Sequence, residues 1–205
     1  NKQNLFVFGL DFRDYRKLFK TLIWANRIAF STSFGQQKLV YYMGGVDSWV
    51  GAKFNRDVET DPKQNYAYQT LATNMRGFRQ NIRNGNTFAV INSEIRFPFV
   101  QVLSPRPVQS SFLRHLQLVV FGDIGSAWSG WNPWSKDNLF YKKTIEDGKL
   151  TVVLDKDANP VVGGFGFGLR MQVLGYFLRG DLAWGVENGI VHKKPMFYFS
   201  LSTDF

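Results

Sequence analysis

The stretch GGFGFGLRMQVLGYFLRGDLAWG, residues 163–185, contains two runs in which apolar residues recur at every second position, with Gly180 as an interruption in the second run. In the first run these residues are Phe165, Phe167, Leu169, Met171 and Val173. In the second run, which continues one residue past the quoted stretch, they are Leu178, Leu182, Trp184 and Val186. A repeat of two residues is typical of a β-strand, since successive side chains point to opposite faces. The short interval at Leu174 and Gly175 predicts a turn, so the stretch predicts two consecutive strands.

The same alternation occurs in five other parts of the chain. They are residues 5–15, 22–34, 87–100, 115–129 and 196–205. With the two runs above, the sequence predicts an all-β protein with seven strands. Each strand is long enough for the ~9–11 residues that a tilted membrane strand needs.

Alternation alone does not separate a soluble β-sandwich from a membrane barrel, because the apolar face can meet either a core or lipid. Strand length and connections favour the barrel. Soluble strands average about five or six residues, and short connections here, near 16–21 and 174–175, alternate with long ones at 35–86 and 130–160. The turn near Pro105 and Pro107 is of medium length. We therefore expect an antiparallel transmembrane β-barrel, with a soluble sandwich as the alternative.

Composition excludes several other classes. The 205 residues include no cysteine, which excludes disulfide scaffolds, thiol catalysis and Cys-ligated zinc. No apolar run approaches the ~20 residues of a membrane helix. Lys and Arg number 25 against 16 Asp and Glu, a net charge of +9, but the basic residues are spread along the chain. We therefore expect no nucleic-acid partner.

Catalysis finds little support in the sequence. His115 and His192 lie at the ends of different predicted strands, and neither a Gly-x-Ser-x-Gly nor a His-Glu-x-x-His motif occurs. The glycines at 163, 164, 166 and 168 lack the spacing of a dinucleotide loop, and glycine inside a strand instead permits bending or the close approach of another backbone. We expect no enzyme activity, no cofactor and no metal site.

Five motifs along the chain resemble one family. They are YYMGG at 41–45, NMRGF at 74–78, the pair NSEIRFPF at 92–99 and VVFGDIGSAW at 119–128, the stretch 163–185, and FYFSLSTDF at 197–205. Their order and spacing resemble the C-terminal half of BamA- and TamA-like assembly and translocation barrels, the bacterial surface antigen superfamily. The last motif also resembles the C-terminal sorting signal of Gram-negative outer-membrane barrels.

The resemblance implies a barrel of about sixteen strands in the outer membrane of a Gram-negative bacterium, with residues 1–205 supplying the last seven. Open sheet edges leave backbone groups unpaired in hydrocarbon, so we expect the remaining strands to come from an upstream segment or another chain. The start, NKQNLFVFGLDF, is consistent with the middle of a longer protein. Lipid, the missing strands and client proteins are the expected partners.

The resemblance also implies that residues 35–86 form a long extracellular loop directed into the lumen. In the family, the arginine of an Arg-Gly-aromatic motif in this loop meets acidic side chains of the inner wall. The matching residues here are Arg76, Gly77 and Phe78, with Glu94 and Asp123 as the acidic partners. From the residues alone, a solvated loop arginine is the simpler interpretation. The interval between Gly45 and Arg76 departs from the family by an insertion, VDSWVGAKFNRDVETDPKQNYAYQTLATN.

Five arginines on the polar faces predict a basic inner wall: Arg13, Arg27, Arg96, Arg170 and Arg179. Such a wall attracts acidic chains or holds the loop. The simpler interpretation is pairing with Asp11, Asp181 and Glu94 and with the rest of the barrel.

The function that the resemblance implies is insertion or translocation of other proteins without a covalent step. The last strand has Phe197, Phe199, Leu201 and Phe205 on its apolar face. It would form one side of the seam, the weak junction between the first and the last strand of the barrel. At a weak seam an incoming strand can pair with the exposed edge, which is β-augmentation. Two alternatives are a passive porin or substrate transporter and a membrane anchor for an enzyme domain encoded upstream.

Overall fold

The computed structural model describes residues 3–19, 21–104, 110–147, 150–155, 158–173 and 175–202. Its strands are β1 (Leu5–Lys17), β2 (Ile23–Gly35), β3 (Lys38–Met43), β4 (Tyr66–Leu71), β5 (Arg83–Gly85), β6 (Thr87–Phe97), β7 (Gln117–Trp128), β8 (Lys142–Asp147), β9 (Leu150–Asp155), β10 (Val162–Val173), β11 (Tyr176–Glu187), β12 (Ile190–Val191) and β13 (Met196–Ser202). Two short helices, α1 (Phe99–Leu103) and α2 (Ser111–Arg114), and a 3-10 turn (Leu139–Tyr141) complete the fold. None of the described helices is long and apolar enough to cross a membrane.

The main sheet follows the chain as an antiparallel meander. Its order is β1, β2, β6, β7, β10 and β11, with β12 and β13 both paired to β11. The pairing of β1 with β2 runs without a bulge from Leu5 opposite Gly35 to Lys17 opposite Ile23. The prediction of an all-β protein with an antiparallel sheet is therefore confirmed.

The segment that returns alongside β11 is divided into two strands, β12 and β13. Asn188 and Gly189 both have left-handed backbones, with φ of 54° and 75°, which suits a two-residue hairpin turn after β11. β12 pairs with β11 for two residues, and pairing resumes at Met196, opposite Ala183. The predicted strand at 196–205 is thus the second part of a longer hairpin arm, and residues 203–205 lie outside the described residues.

Several predicted strand ends differ from the structure by one to three residues: β1 continues to Lys17, β2 spans Ile23–Gly35 and β7 ends at Trp128. Two further differences have a cause in the neighbouring helices. The strand expected over 87–100 ends at Phe97, because Pro98 has no N–H for the ladder, and Phe99 begins α1 instead. The strand expected over 115–129 begins only at Gln117, since α2 ends at Arg114 and His115 is its C-cap residue. Pro105 and Pro107 fall outside the described residues.

The long connections contain secondary structure that the alternation did not reveal. Within 36–86, β3 pairs in parallel with β4 and antiparallel with β5, giving a small separate sheet. Within the connection from β7 to β10, β8 and β9 form a hairpin. These short strands pair with one another inside the connections and not with the long alternating strands. Alternation over a long run therefore does not predict them.

The two faces of the main sheet have opposite polarity. The outer face carries large apolar side chains that are exposed, including Phe8, Ile28, Ile91, Val120, Ile124, Phe165, Phe167, Phe197 and Phe199. The inner face carries polar side chains that are buried: Asn92, Glu94, Asp123, Arg170, Asp181 and Ser200. This is the reverse of a soluble sandwich, in which the apolar face is the covered one.

Residues 36–86 provide the cover of the inner face. A buried cluster joins Tyr41, Met43, Ala72, Met75 and Phe78 of this connection to small and apolar residues of the sheet, namely Ala29, Phe88, Val90, Ala127 and Val162. The apolar core therefore lies between the long connection and the inner face of the sheet.

Candidate functional site

Arg76 is the centre of the polar cluster on the inner face. Its side chain is only 2% exposed, and its Nε and Nη2 donate to the two carboxylate oxygens of Asp123, both at 2.7 Å. Its Nη1 donates to Oε1 of Glu94 at 2.8 Å. The backbone N–H of Arg76 donates to Asp123 as well, at 3.1 Å. The two parallel bonds to Asp123 give the planar guanidinium a single orientation.

Glu94 joins this pair to other strands. Its Oε1 also accepts from Nη2 of Arg170 at 2.6 Å, and its Oε2 accepts from Nη2 of Arg96 at 2.9 Å. Asp181 lies 3.8 Å from Nη1 of Arg76. The cluster therefore ties the long connection to β6, β7, β10 and β11 at once.

The guanidinium of Arg76 remains charged in this buried position. Burial by itself disfavours the charged form, but Asp123 and Glu94 outweigh it and raise the pKa of Arg76 above its usual value. The guanidinium carbon also lies 3.5 Å from the centre of the Phe121 ring, where a cation–π contact adds to the attraction. Phe121 thus forms the apolar floor of an otherwise charged site.

The residues after Arg76 are held by the last strand. The backbone N–H of Gly77 donates to Oη of Tyr198 at 2.8 Å, and the same hydroxyl donates to the carbonyl oxygen of Phe78 at 2.8 Å. The ring of Phe78 meets His192 edge to face, with centroids 5.2 Å apart. The Arg76-Gly77-Phe78 tip therefore contacts both the acidic wall and β13.

Glycines of the sheet allow the tip to approach this closely. A Cβ on Gly164 would lie 1.9 Å from the carbonyl oxygen of Arg76, and a Cβ on Gly185 would lie 2.6 Å from that of Gly77. Gly77 itself has φ of 98° and no room for a side chain. The structural interpretation of the glycines in β10, as sites where another backbone approaches, agrees with this packing.

A second buried arginine anchors the connection near its end. Nη2 of Arg83 donates to Glu187 at 2.9 Å and to the carbonyl oxygen of Asn159 at 2.8 Å. Its guanidinium lies 5.0 Å from the ring centre of Phe140. Arg83 therefore joins residues 36–86 to β11 and to the connection that precedes β10.

The five arginines predicted on the polar faces lie around one cavity beside the Arg76 cluster, whose lining also includes Asp47 and Glu94. The cavity measures about 200 Å³, and its lining includes all five predicted arginines: Arg13, Arg27, Arg96, Arg170 and Arg179. Several of them are paired within the sheet, since Asp11 binds Arg13 and Arg27 while Glu94 binds Arg96 and Arg170. Pairing, the simpler of the two interpretations, accounts for these contacts.

The residues assigned to the seam have their apolar side chains on the outer face. Phe197, Phe199 and Leu201 are exposed, while Tyr198 and Ser200 between them are buried on the inner face. Phe205 lies outside the described residues.

The structure brings Arg76, Gly77, Phe78, Glu94 and Asp123 together in one cluster. That this cluster acts as a functional clamp stays a prediction. The sequence interpretation missed Tyr198, Phe121 and Arg83. Alternation puts Tyr198 on the face opposite Phe197 and Phe199, but nothing local in the sequence indicates which loop atoms its hydroxyl meets.

In chemical terms the site is a set of charge-assisted hydrogen bonds between a loop and a wall. The carboxylates of Asp123 and Glu94 form salt bridges with arginines.

In searches against known proteins, no family model matches the chain, and no curated protein matches it in sequence.

Proposed function

We propose that this chain is the C-terminal part of a transmembrane β-barrel in a Gram-negative outer membrane, and that the barrel inserts or translocates other proteins. The proposal combines the motif resemblance with the polarity of the main sheet. The remaining strands come from an upstream segment or from another chain. Lipid and client proteins are the partners.

The observation that carries the membrane assignment is the exposed apolar face. Val120 is 55% exposed and Phe167 is 48% exposed, on neighbouring strands of the main sheet. Together with the other outward residues they form a continuous apolar surface several strands wide. Patches of this extent on monomeric proteins mark interaction with a membrane or a partner. Lipid suits a surface that follows alternate residues of every long strand.

The anchored loop favours an assembly barrel over an open pore. Residues 36–86 lie across the inner face and are fastened there by Arg76 and Arg83. An open porin instead keeps a water-filled channel between polar walls. In our proposal the loop occupies the lumen, and client proteins are inserted or translocated at the seam.

The seam strand provides the proposed working surface. An incoming strand can add to an exposed sheet edge through main-chain hydrogen bonds, which need no particular sequence. Among the strands of the described residues, β13 pairs in the main sheet with β11 alone. Its other edge is where we place contact with clients.

Reconstitution of the full-length protein in liposomes tests this function. An unfolded eight-stranded outer-membrane protein is added, and its insertion is followed by the appearance of its heat-modifiable folded band. We expect faster insertion than into protein-free liposomes. Liposomes carrying the heat-inactivated protein serve as the control.

Planar-bilayer conductance separates the alternatives. A protein that gives a large, steady conductance and no faster insertion would favour a porin. A protein that does neither, and whose upstream sequence carries a hydrolase motif, would favour an anchor.

A further inference from the structure

Part of the outer edge of β13, the edge away from β11, is occupied by the long connection. Val50 donates its backbone N–H to the carbonyl oxygen of Phe199 at 2.8 Å. Leu201 donates its N–H to the carbonyl oxygen of Ser48 at 3.4 Å. Trp49 and Ser200 consequently form an antiparallel bridge. Residues 48–50, which we call the edge segment, add a very short strand beside β13.

Trp49 anchors the edge segment through its side chain. Its ring centroid lies 4.8 Å from that of Tyr198, and its ring lies over Gly45, where a Cβ would come within 3.1 Å of it. Tyr198 is the residue whose hydroxyl holds Gly77 and Phe78. The edge segment and the Arg76-Gly77-Phe78 tip thus share one side chain of the last strand.

The backbone on either side keeps this pairing short. Ser48 has φ of 55° and Gly51 has φ of 73°, both in the left-handed region, so the chain turns away before and after Trp49. By comparison, β11 and β13 are paired from Phe177 opposite Ser202 to Ala183 opposite Met196. A client strand that pairs over a comparable length would form more hydrogen bonds at this edge than the edge segment does.

We propose that the edge segment is a built-in guard of the seam. It occupies the edge of β13 in the resting protein and leaves when an extended client strand pairs there antiparallel to β13. This inference rests on the proposed function, because it assigns regulation to the same seam. The favoured client strand carries an aromatic residue opposite Ser200, where it takes the position of Trp49 on Tyr198.

By covering the edge of β13, the edge segment would also protect the protein from aggregation. Exposed strand edges pair with other chains and cause aggregation, so natural sheets cover or shorten them. The edge segment lies in the insertion that departs from the family pattern, between Gly45 and Arg76. A protein with this insertion can therefore protect its seam without the permanent pairing that would close it.

A cysteine pair tests the guard, because the chain contains no native cysteine. Trp49 and Ser200 form a non-hydrogen-bonded antiparallel pair, for which Cα atoms lie about 4.5 Å apart, a distance that a disulfide spans. The variant Trp49→Cys/Ser200→Cys is made in the full-length protein and oxidised in liposomes. Trp49→Cys/Phe199→Cys is the matched control, since alternation directs the Phe199 side chain to the other face. We expect a disulfide in the first variant and none in the control.

Client insertion by the oxidised and reduced forms then tests the role. We expect the locked protein to insert the eight-stranded client no faster than protein-free liposomes, and reduction to restore the rate. Trp49→Ala, which loses the anchor without a cross-link, should insert the client faster than the unaltered protein.

Three results would contradict this inference in distinguishable ways. Failure of Trp49→Cys/Ser200→Cys to form a disulfide in a folded protein overturns the pairing and leaves the proposed function intact. Equal insertion by the locked and reduced forms overturns the guard, since the contact would then be a passive tie. Absence of insertion in both redox states and in the unaltered protein overturns the proposed function, and the regulation with it, even where the disulfide forms.

Discussion

Arg76 binds Asp123 through two parallel hydrogen bonds, Nε to Oδ2 and Nη2 to Oδ1, each 2.7 Å long. Asp123 lies 47 residues further along the chain, in the middle of β7. Both side chains are almost fully buried, so neither charge has water as an alternative partner. The stability of the long connection on the sheet should therefore depend on this pair.

Reversal of the charge at Arg76 should release the connection. In Arg76→Glu the new carboxylate faces Asp123, Glu94 and Asp181, and breaking a buried pair costs about 3–5 kcal/mol. We expect residues 36–86 to become sensitive to protease and client insertion to fall, while the strands still fold. Arg79→Glu is the matched control, because Arg79 is exposed.

A second charge reversal should rescue Arg76→Glu in part. Asp123→Lys restores an opposite pair at the same place. Glu94→Lys should rescue less well, because Arg96 and Arg170 also bind Glu94 and would then face a third cation. Protease protection of the loop in the two double variants measures the difference. Equal protection in both would contradict the assignment of Asp123 as the principal partner.

Addition of one methyl group at Gly164 should displace the Arg76-Gly77-Phe78 tip. The new Cβ would lie 1.9 Å from the carbonyl oxygen of Arg76, whereas at Gly163 its nearest neighbour is 3.6 Å away. Overpacking costs typically about 1–3 kcal/mol. We expect Gly164→Ala to lower the urea midpoint of unfolding in liposomes, and Gly163→Ala to leave it nearly unchanged. The same midpoint for both variants would show that the tip does not rest on β10.

Loss of the Tyr198 hydroxyl should weaken the contact between the tip and the last strand. Tyr198→Phe leaves the N–H of Gly77 and the carbonyl of Phe78 buried without this partner, and one such loss costs about 1–3 kcal/mol. The Trp49 contact with the ring is retained. Urea unfolding should shift more for Tyr198→Phe than for Tyr66→Phe, whose hydroxyl lies 3.4 Å from Ser129. Hydrogen exchange at the Gly77 amide gives a direct second measurement.

A charge on the outer face should impair membrane folding, and one on the inner face of the same strand should not. Leu169 is exposed near the middle of β10, and an arginine at the bilayer midplane costs about 2–4 kcal/mol. Gln172 lies in the same strand on the opposite face, where it lines a cavity together with Arg170 and Gln117. Folding yield in liposomes should fall for Leu169→Arg and change little for Gln172→Arg. Similar yields for the two variants would argue against lipid contact at the outer face.

The family resemblance predicted that Arg76 contacts Glu94 and Asp123, whereas the residue pattern alone did not. Alternation placed Glu94 and Asp123 on inward faces, but it did not bring a loop arginine to them, and a solvated Arg76 was the simpler interpretation. Neither the family resemblance nor the alternation predicted the contacts with Phe121 and Tyr198. Phe121 was overlooked because an aromatic residue on a polar face departs from the pattern that identified the strand.

The sequence by itself determined the long strands and the polarity of their faces. Alternation at Phe165, Phe167 and Leu169 is a local property, and Pro98 could have marked the end of β6 in the same way. Tertiary structure alone decided that Tyr198 meets Gly77, 121 residues away, and that Trp49 lies beside Ser200. Those contacts depend on where left-handed residues such as Ser48 turn the connection and on where Gly164 and Gly185 leave room for another backbone. They arise only when the whole sheet is assembled, because no periodic pattern within one segment records the position of another.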